Sequence, residues 1–399
     1  VGAALRGRSR ALRQFGALTG TARLLVLSQL LFNIGFFLVL PHLAGHLADD
    51  LGLAGWLVGL VLGVRTFSQQ GLFALGGVLT DRFGAKPLII AGCLVRTAGF
   101  AVLAVATGLP TVLCGVVLVG FAGALFSPAA DASLAREADP GTRADTFAIR
   151  SMAGETGTVI GPLLGVVLSA SFSVTCVIGA VLFGLIALLH LRFLPRRPGE
   201  HRDEGIFDGW REVFGNRAFL LFAAGYSAYL VSYNQLYLGL PAELRRVGAP
   251  DAALGLLFAL ASVLVVCGQL PTTGLARRLL GRDRALVAGF TVMALAFFVV
   301  AVRPPGLTGA TVFVVLLIFG QMLVVPFAME LVPLLAGDRR LGAHFGVLAS
   351  AGGVAVLVGS TASGALLGQG RVAWILLGLL PLAGACVMAI AARRRAFLS

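Results

Sequence analysis

The chain has 399 residues, of which 58% are hydrophobic and only 12% charged, and its net charge is +13. A soluble globular domain carries about 25% charged residues, so a water-soluble enzyme is excluded. A porin-type barrel is disfavoured because the apolar runs do not alternate with polar residues. About 20 apolar residues cross a bilayer as a helix, and the apolar residues together with 53 glycines suffice for twelve such helices joined by short loops.

Apolar runs predict spans at 24–45, 56–79, 88–108, 111–130, 147–170, 174–194, 218–240, 253–275, 285–302, 309–335, 343–368 and 372–392. The basic residues are Lys86 and arginines; 25 of the 31 fall in the tails and alternate loops on one side, 4 on the other, and Arg65 and Arg96 inside spans. That asymmetry is a positive-inside pattern. It predicts both termini in the cytoplasm and an all-α membrane protein of twelve transmembrane helices. The same clusters read as orientation signals rather than a nucleic-acid surface. Five arginines within residues 1–23 form an expected cytoplasmic tail, retained rather than cleaved as a signal peptide. Residues 24–194 and 218–392 read as two six-helix bundles, 195–217 as a polar cytoplasmic linker and 393–399 as a second tail. The five cysteines lie in apolar runs and predict no disulfide.

In span one, Gln29, Phe32, Asn33 and Phe36 are candidates to face a central cavity, packing being the alternative. His42 and His46, close to Asp49 and Asp50 at its outer end, have a spacing that can bind metal, but an interfacial helix end explains them better and no metal is expected. Span two carries Arg65 and runs into Gly77-x-x-x-Asp81-Arg82-x-Gly84-x-Lys86. Gly77 lets helices approach closely, Gly84 permits a tight reversal, and Asp81 stands where a helix terminus can pair with it. Arg82 is expected to pair with Asp131 at the end of span four, so that the cluster closes the cytoplasmic side when formed; the alternative is a solvated turn. Lys86 has no glycine or serine partners of a phosphate loop, and no nucleotide or other cofactor is expected.

Arg96 in span three and Glu155 in span five fall at similar depth and form a candidate pair. Ionisable residues within a membrane are costly and usually face a cavity or each other, so Arg65, Arg96, Glu155 and Glu330 of span ten are candidates for proton coupling. Glu330, with no basic residue in its span, is the freer carboxylate for a proton or a cationic substrate. Span five continues as Gly157-x-x-x-Gly161-Pro162-x-x-Gly165, whose glycines invite a close neighbour while Pro162 bends the helix. All four tyrosines, Tyr226, Tyr229, Tyr233 and Tyr237, share one face of span seven with Asn234. Phenol rings offer cation–π faces, which suits a pocket for apolar or cationic molecules; an interfacial aromatic belt is the rival reading. The turn at Gly77–Gly84 is echoed by Gly274–Gly281, and Gly161–Gly165 by Gly364–Gly368, as two halves related by parallel repetition require.

The span two–three turn resembles the signature of the major facilitator superfamily, and the span-five glycines resemble the antiporter motif of its twelve-span drug:proton antiporter family, with Val166 replacing a final glycine. The stretch Leu62–Phe100 is similar to bacterial multidrug-resistance members of that family. The resemblance implies the major facilitator fold and proton-coupled antiport that exports drugs or other amphipathic small molecules by alternating access. The proton gradient is then the energy source, an acid in span ten a candidate for drug and proton binding, and the protein a monomer in the bacterial inner membrane. Two departures limit the transfer: span four lacks the arginine many relatives carry, and Arg278 stands where the second-half turn would need an acid, predicting a one-sided latch. A metabolite uniporter or symporter is the runner-up. A membrane sensor or membrane-embedded enzyme is the reading of another class.

Overall fold

The computed structural model describes residues 13–168, 171–199, 205–250, 252–302, 306–366 and 370–393. The ends of both expected tails (1–12 and 394–399) and the middle of the linker (200–204) lie outside the described residues. Fifteen helices are used below: α1 (Gly20–Gly45), α2 (Gly55–Gln70), α3 (Phe73–Phe83), α4 (Ala85–Ala104), α5 (Leu109–Glu137), α6 (Arg143–Leu168), α7 (Phe172–Phe193), α8 (Ile206–Gly215), α9 (Arg217–Asn234), α10 (Gly239–Arg246), α11 (Ala252–Leu279), α12 (Gly281–Val302), α13 (Leu307–Leu335), α14 (Leu341–Leu366) and α15 (Arg371–Arg393).

Among the described residues nine helices are long and apolar enough to cross a membrane. The other three predicted spans depart from that standard for chemical reasons. Span two is broken into α2 and α3 around Gly71 and Leu72 rather than running straight. Span five, α6, carries Arg143, Asp145, Arg150 and Glu155. Span seven, α9, is long enough but diluted by Arg217, three tyrosines, two serines and Asn234; it ends at Asn234, so Tyr237 falls in the turn beyond it and not on the helix face expected for it.

Local chemistry sets the ends. Thr19 caps α1 through the Ala22 amide, and Asn216 caps α9 through the Phe219 amide, each satisfying a donor the helix start leaves free. Gly84 at φ +87° turns the chain from α3 into α4, and Gly281 at φ +72° does the same between α11 and α12; both occupy the left-handed region that glycine tolerates. The Lys86 ammonium donates to the Leu191 and Leu194 carbonyls at 2.9 and 2.6 Å. A cation on the last carbonyls of a helix is favourable, so Lys86 secures the end of α7.

The first group of helices packs α1 on α6 and α7, α4 on α5 and α7, and α2 and α3 on α5. The second packs α12 on α13 and α15, α9 on α14 and α15, and α11 on α13. Across the two groups, α3 meets α14 while α11 and α13 meet α6. These crossings create the seam and the cavity described next.

Candidate functional site

The seam is built on glycine. A methyl group at Gly77 would overlap the Gly342 carbonyl, one at Gly342 the Gly77 carbonyl, and one at Gly346 the Phe73 carbonyl. With no side chains intervening, α3 and α14 touch backbone to backbone. Asp81, buried, accepts the Gly342 and Ala343 amides at 2.9 and 2.7 Å. Those amides open α14 and have no partner inside the helix, so a carboxylate there is favoured by charge-assisted bonds and by the helix dipole. Arg136 stands 3.8 Å from the same carboxylate.

The expected Arg82–Asp131 pair is not formed. Arg82 lies over the Phe83 ring at 5.6 Å instead. Asp131 pairs with Arg150 of α6 at 2.9 Å. The one-sided latch is also corrected. Arg277, at the end of α11, donates to Asp145 of α6 at 2.8 Å, and Arg143 to Asp338 at 2.6 Å. The second half therefore contributes a cation to the first turn of α6, where the first half contributes an acid to the first turn of α14. The linker helix α8 closes over the same seam: Trp210 donates to the Ala74 carbonyl, and Glu212 pairs with Arg340.

Above this seam lies a cavity of about 390 Å³ lined by Gln70, Phe73, Asp131, Arg150, Tyr226, Tyr233 and Asn234 among others, with α13 and α14 supplying the far wall. Tyr226, Tyr229, Tyr233 and Tyr237 do form a continuous ladder, with ring centroids 5.2 to 6.0 Å apart. Two of them line the cavity. Tyr229 is buried behind its neighbours, and Tyr237 is 55% exposed against Phe258. Asn234 donates to Ser360 at 2.8 Å, holding α9 against α14.

Span one does not reach this cavity. Phe32 is buried in the first bundle, stacked on Phe126 at 4.3 Å, and Asn33 donates to the Gly154 carbonyl and the Thr158 hydroxyl of α6. Gln29 donates to Asn33. Phe36 lies under Arg65 and Arg96, at 5.1 and 5.2 Å. The Arg96–Glu155 pair is likewise absent. Arg96 is fully buried in an aromatic box of Phe32, Phe36 and Phe183, with its guanidinium 4.0 Å over Phe32 and donating to the Val119 carbonyl. Cation–π attraction stands where a carboxylate was expected.

Glu155 instead points across the molecule. It lies beside Gln321 of α13 and in the field of Tyr229, Tyr233 and Tyr237. Twelve residues from the start of α6, it lies about 18 Å along that helix, near mid-depth. Glu330 is five residues from the end of α13 and does not line the cavity. Its Oε2 is buried with no hydrogen-bond partner among the described residues, and Arg277, Arg282, Asp145 and Arg143 lie in its field. Span order alone cannot reveal neighbours supplied by α6, α11 and α12.

The span-five glycines form one stripe on α1. A methyl at Gly157 would come within 2.5 Å of the Leu30 carbonyl, one at Gly161 within 2.8 Å of the Ile34 carbonyl, and one at Gly165 within 2.7 Å of His42. Pro162 sits on the same helix without ending it. His46 stacks on Phe172 and pairs with Asp50 at 2.6 Å, so His42 and His46 serve different neighbours. Gly157→Val should therefore cost about 1–3 kcal/mol of overpacking. It should lower the Tm of the purified protein in detergent; an unchanged Tm would show that α1 does not need this close approach.

The profile of the Major Facilitator Superfamily matches residues 25–342. The chain is 41% identical over 385 residues to an uncharacterized MFS-type transporter of Mycobacterium tuberculosis, covering 91% of this chain and 92% of that protein. It is 30% identical over 367 residues to the multidrug resistance protein MdtH of Salmonella typhi, covering 89% and 90%. Its fold superposes on the crystal structure of the human organic anion transporter MFSD10 (TETRAN) with a TM-score of 0.76 at 20% identity, covering 92% of this chain and 98% of that one. The outward conformation of the transporter FucP gives a TM-score of 0.74 at 17% identity, covering 92% and 98%; likeness at these identities speaks for the fold alone. With helices that pack as described and a sequence profile spanning most of its length, the chain belongs to the major facilitator superfamily of membrane transporters.

Proposed function

We propose that the protein is a proton-driven antiporter that exports amphipathic drug-like molecules, as the name of its MdtH relative suggests. In this reading the arginine-rich face is cytoplasmic, the protein works as a monomer in a bacterial inner membrane, and the glycine seam is the closed cytoplasmic gate. The cavity then opens to the outside, and rocking of the two halves about it alternates access. The observation that carries proton coupling is Glu155, a mid-depth carboxylate that lies beside Gln321 across the boundary between the halves. Opening of that boundary changes the solvation of the carboxylate, and with it the affinity for a proton. One proton crossing 100 mV and one pH unit releases about 3.7 kcal/mol, enough for roughly a 400-fold gradient of a neutral solute at one-to-one exchange.

Proteoliposomes loaded with a pH-sensitive dye test this directly across a compound panel. Substrate addition should collapse an imposed pH gradient with the wild type. Glu155→Gln should abolish the collapse and gradient-driven accumulation while leaving substrate exchange at equal pH. Gradient-driven transport by Glu155→Gln at the wild-type rate would overturn Glu155 as the coupling residue. Proton movement in the same direction as the substrate would favour a symporter.

A further inference from the structure

The cavity contains an ion pair whose geometry has a meaning beyond holding two helices together. Asp131 of α5 and Arg150 of α6 both line it, with Nη2 and Oδ1 2.9 Å apart and side chains 17% and 19% exposed. Despite that distance, Asp131 Oδ1 accepts no hydrogen bond of good geometry. The pair is held by attraction and not by the bidentate alignment that makes arginine–carboxylate pairs strong. Tyr226 lies in the field of both charges. Around them stand the rings of Phe73, Phe147, Phe345 and Tyr233, so the same wall that holds one carboxylate presents several aromatic faces.

The geometry points to Asp131 as the anchor for the charge of an amphipathic aromatic monocation, with Arg150 as a built-in competitor that occupies the carboxylate until such a ligand displaces it. The inference rests on the reading of this cavity as the substrate site and adds the charge class and the residue that reads it. A carboxylate left bare at the cavity wall would carry the cost of an unpaired, partly desolvated charge. Arg150 removes that cost in the empty state. A cation entering the cavity takes over the carboxylate, and its rings meet aromatic faces that favour a cation. The guanidinium swings toward the open space and regains water. A neutral ligand has nothing to exchange with the pair and binds by apolar contact alone. The two partners of one ion pair are therefore assigned opposite effects on cation affinity, which a purely structural pair would not show.

Equilibrium binding to the purified full chain, with no gradient, provides the test. The probes are tetraphenylphosphonium, a permanent cation, and triphenylphosphine oxide, a neutral aromatic of related shape. Asp131→Asn should weaken tetraphenylphosphonium binding about tenfold or more and leave the neutral probe within about twofold. Arg150→Gln should tighten the cation several-fold and leave the neutral probe unchanged, and Asp131→Glu should retain cation binding. Retained neutral binding certifies that each variant is folded. If Asp131→Asn does not fold, the sign of the Arg150→Gln effect still decides. Weaker cation binding in Arg150→Gln overturns the proposal, as does no cation binding in either wild type or Arg150→Gln. A wild type that binds the cation in this way yet moves no protons in vesicles would defeat the antiport mechanism and leave this assignment standing.

Discussion

Asp81→Asn is expected to lower transport in proteoliposomes by at least about tenfold while leaving expression and folding intact. The substitution keeps the shape of the side chain and removes its charge. In the closed seam that charge meets two amides at the start of α14, at 2.9 and 2.7 Å, and Arg136 beyond them. Hydrogen bonds to a charged group contribute about 1.5–3 kcal/mol, and a negative charge at a helix N-terminus adds about 0.3–1 kcal/mol. A loss of that size shifts a two-state equilibrium about ten- to several-hundred-fold. The seam should then open in most molecules, and the cycle should stall for lack of the closed state. Spin labels on α3 and α14 would report the change as a longer distance distribution. A wild-type rate together with an unmoved distribution would defeat the latch.

Gly77→Ala should act on the same seam by volume instead of charge, and more severely. The new methyl would overlap the Gly342 carbonyl, a backbone atom that cannot swing aside, and would crowd the Ala343 Cα. The two helices must separate along their whole contact, which breaks the Asp81 bonds as well. In a variant without native cysteines, the pair Ala74→Cys and Ser350→Cys should cross-link readily, and Gly77→Ala should abolish the cross-link along with transport. The neighbouring glycine makes a demanding control. A methyl at Gly76 would overlap the Ala124 carbonyl of α5, within the first bundle. Gly76→Ala should therefore lower yield and Tm rather than change gating. Loss of the cross-link in Gly76→Ala at undiminished Tm, with Gly77→Ala cross-linking normally, would invert the assignment.

The all-helical membrane class, the repeat of the two turns and the family are legible in the sequence because composition and glycine spacing act locally along one chain. The Asp81 turn and the glycine stripe of α6 were legible for the same reason, since a residue's own helix dictates which face it occupies. Partners were less so. Position along the spans pairs Asp131 with Arg82 and Glu155 with Arg96, whereas rotation about the helix axis decides which neighbour a side chain meets. Arg150, the actual partner of Asp131, falls inside the span 147–170, although its nearness to the span's end groups it with the loop charges. Gly342 and Gly346, four residues apart, carried a readable signal for close packing. Gln321 carried none, because nothing in span ten distinguishes a glutamine that faces a carboxylate on span five. Span one misled because Phe32 and Asn33 are suited to a binding site and equally to the interior that they occupy.

The interruption between α2 and α3 has its exposed backbone completed from the opposite half. The Ser350 hydroxyl donates to the Gln70 carbonyl and accepts the Ala74 amide, both at 2.9 Å, and so spans the gap that the missing helical turn leaves. Peptide groups at this depth find no partner in lipid. When α14 withdraws, each of the two must be met by an invading solvent molecule or by rewinding of the helix through Gly71 and Leu72. Separation of the bundles is thus tied to wetting or straightening of span two, a local event that amide hydrogen exchange at Ala74 would register.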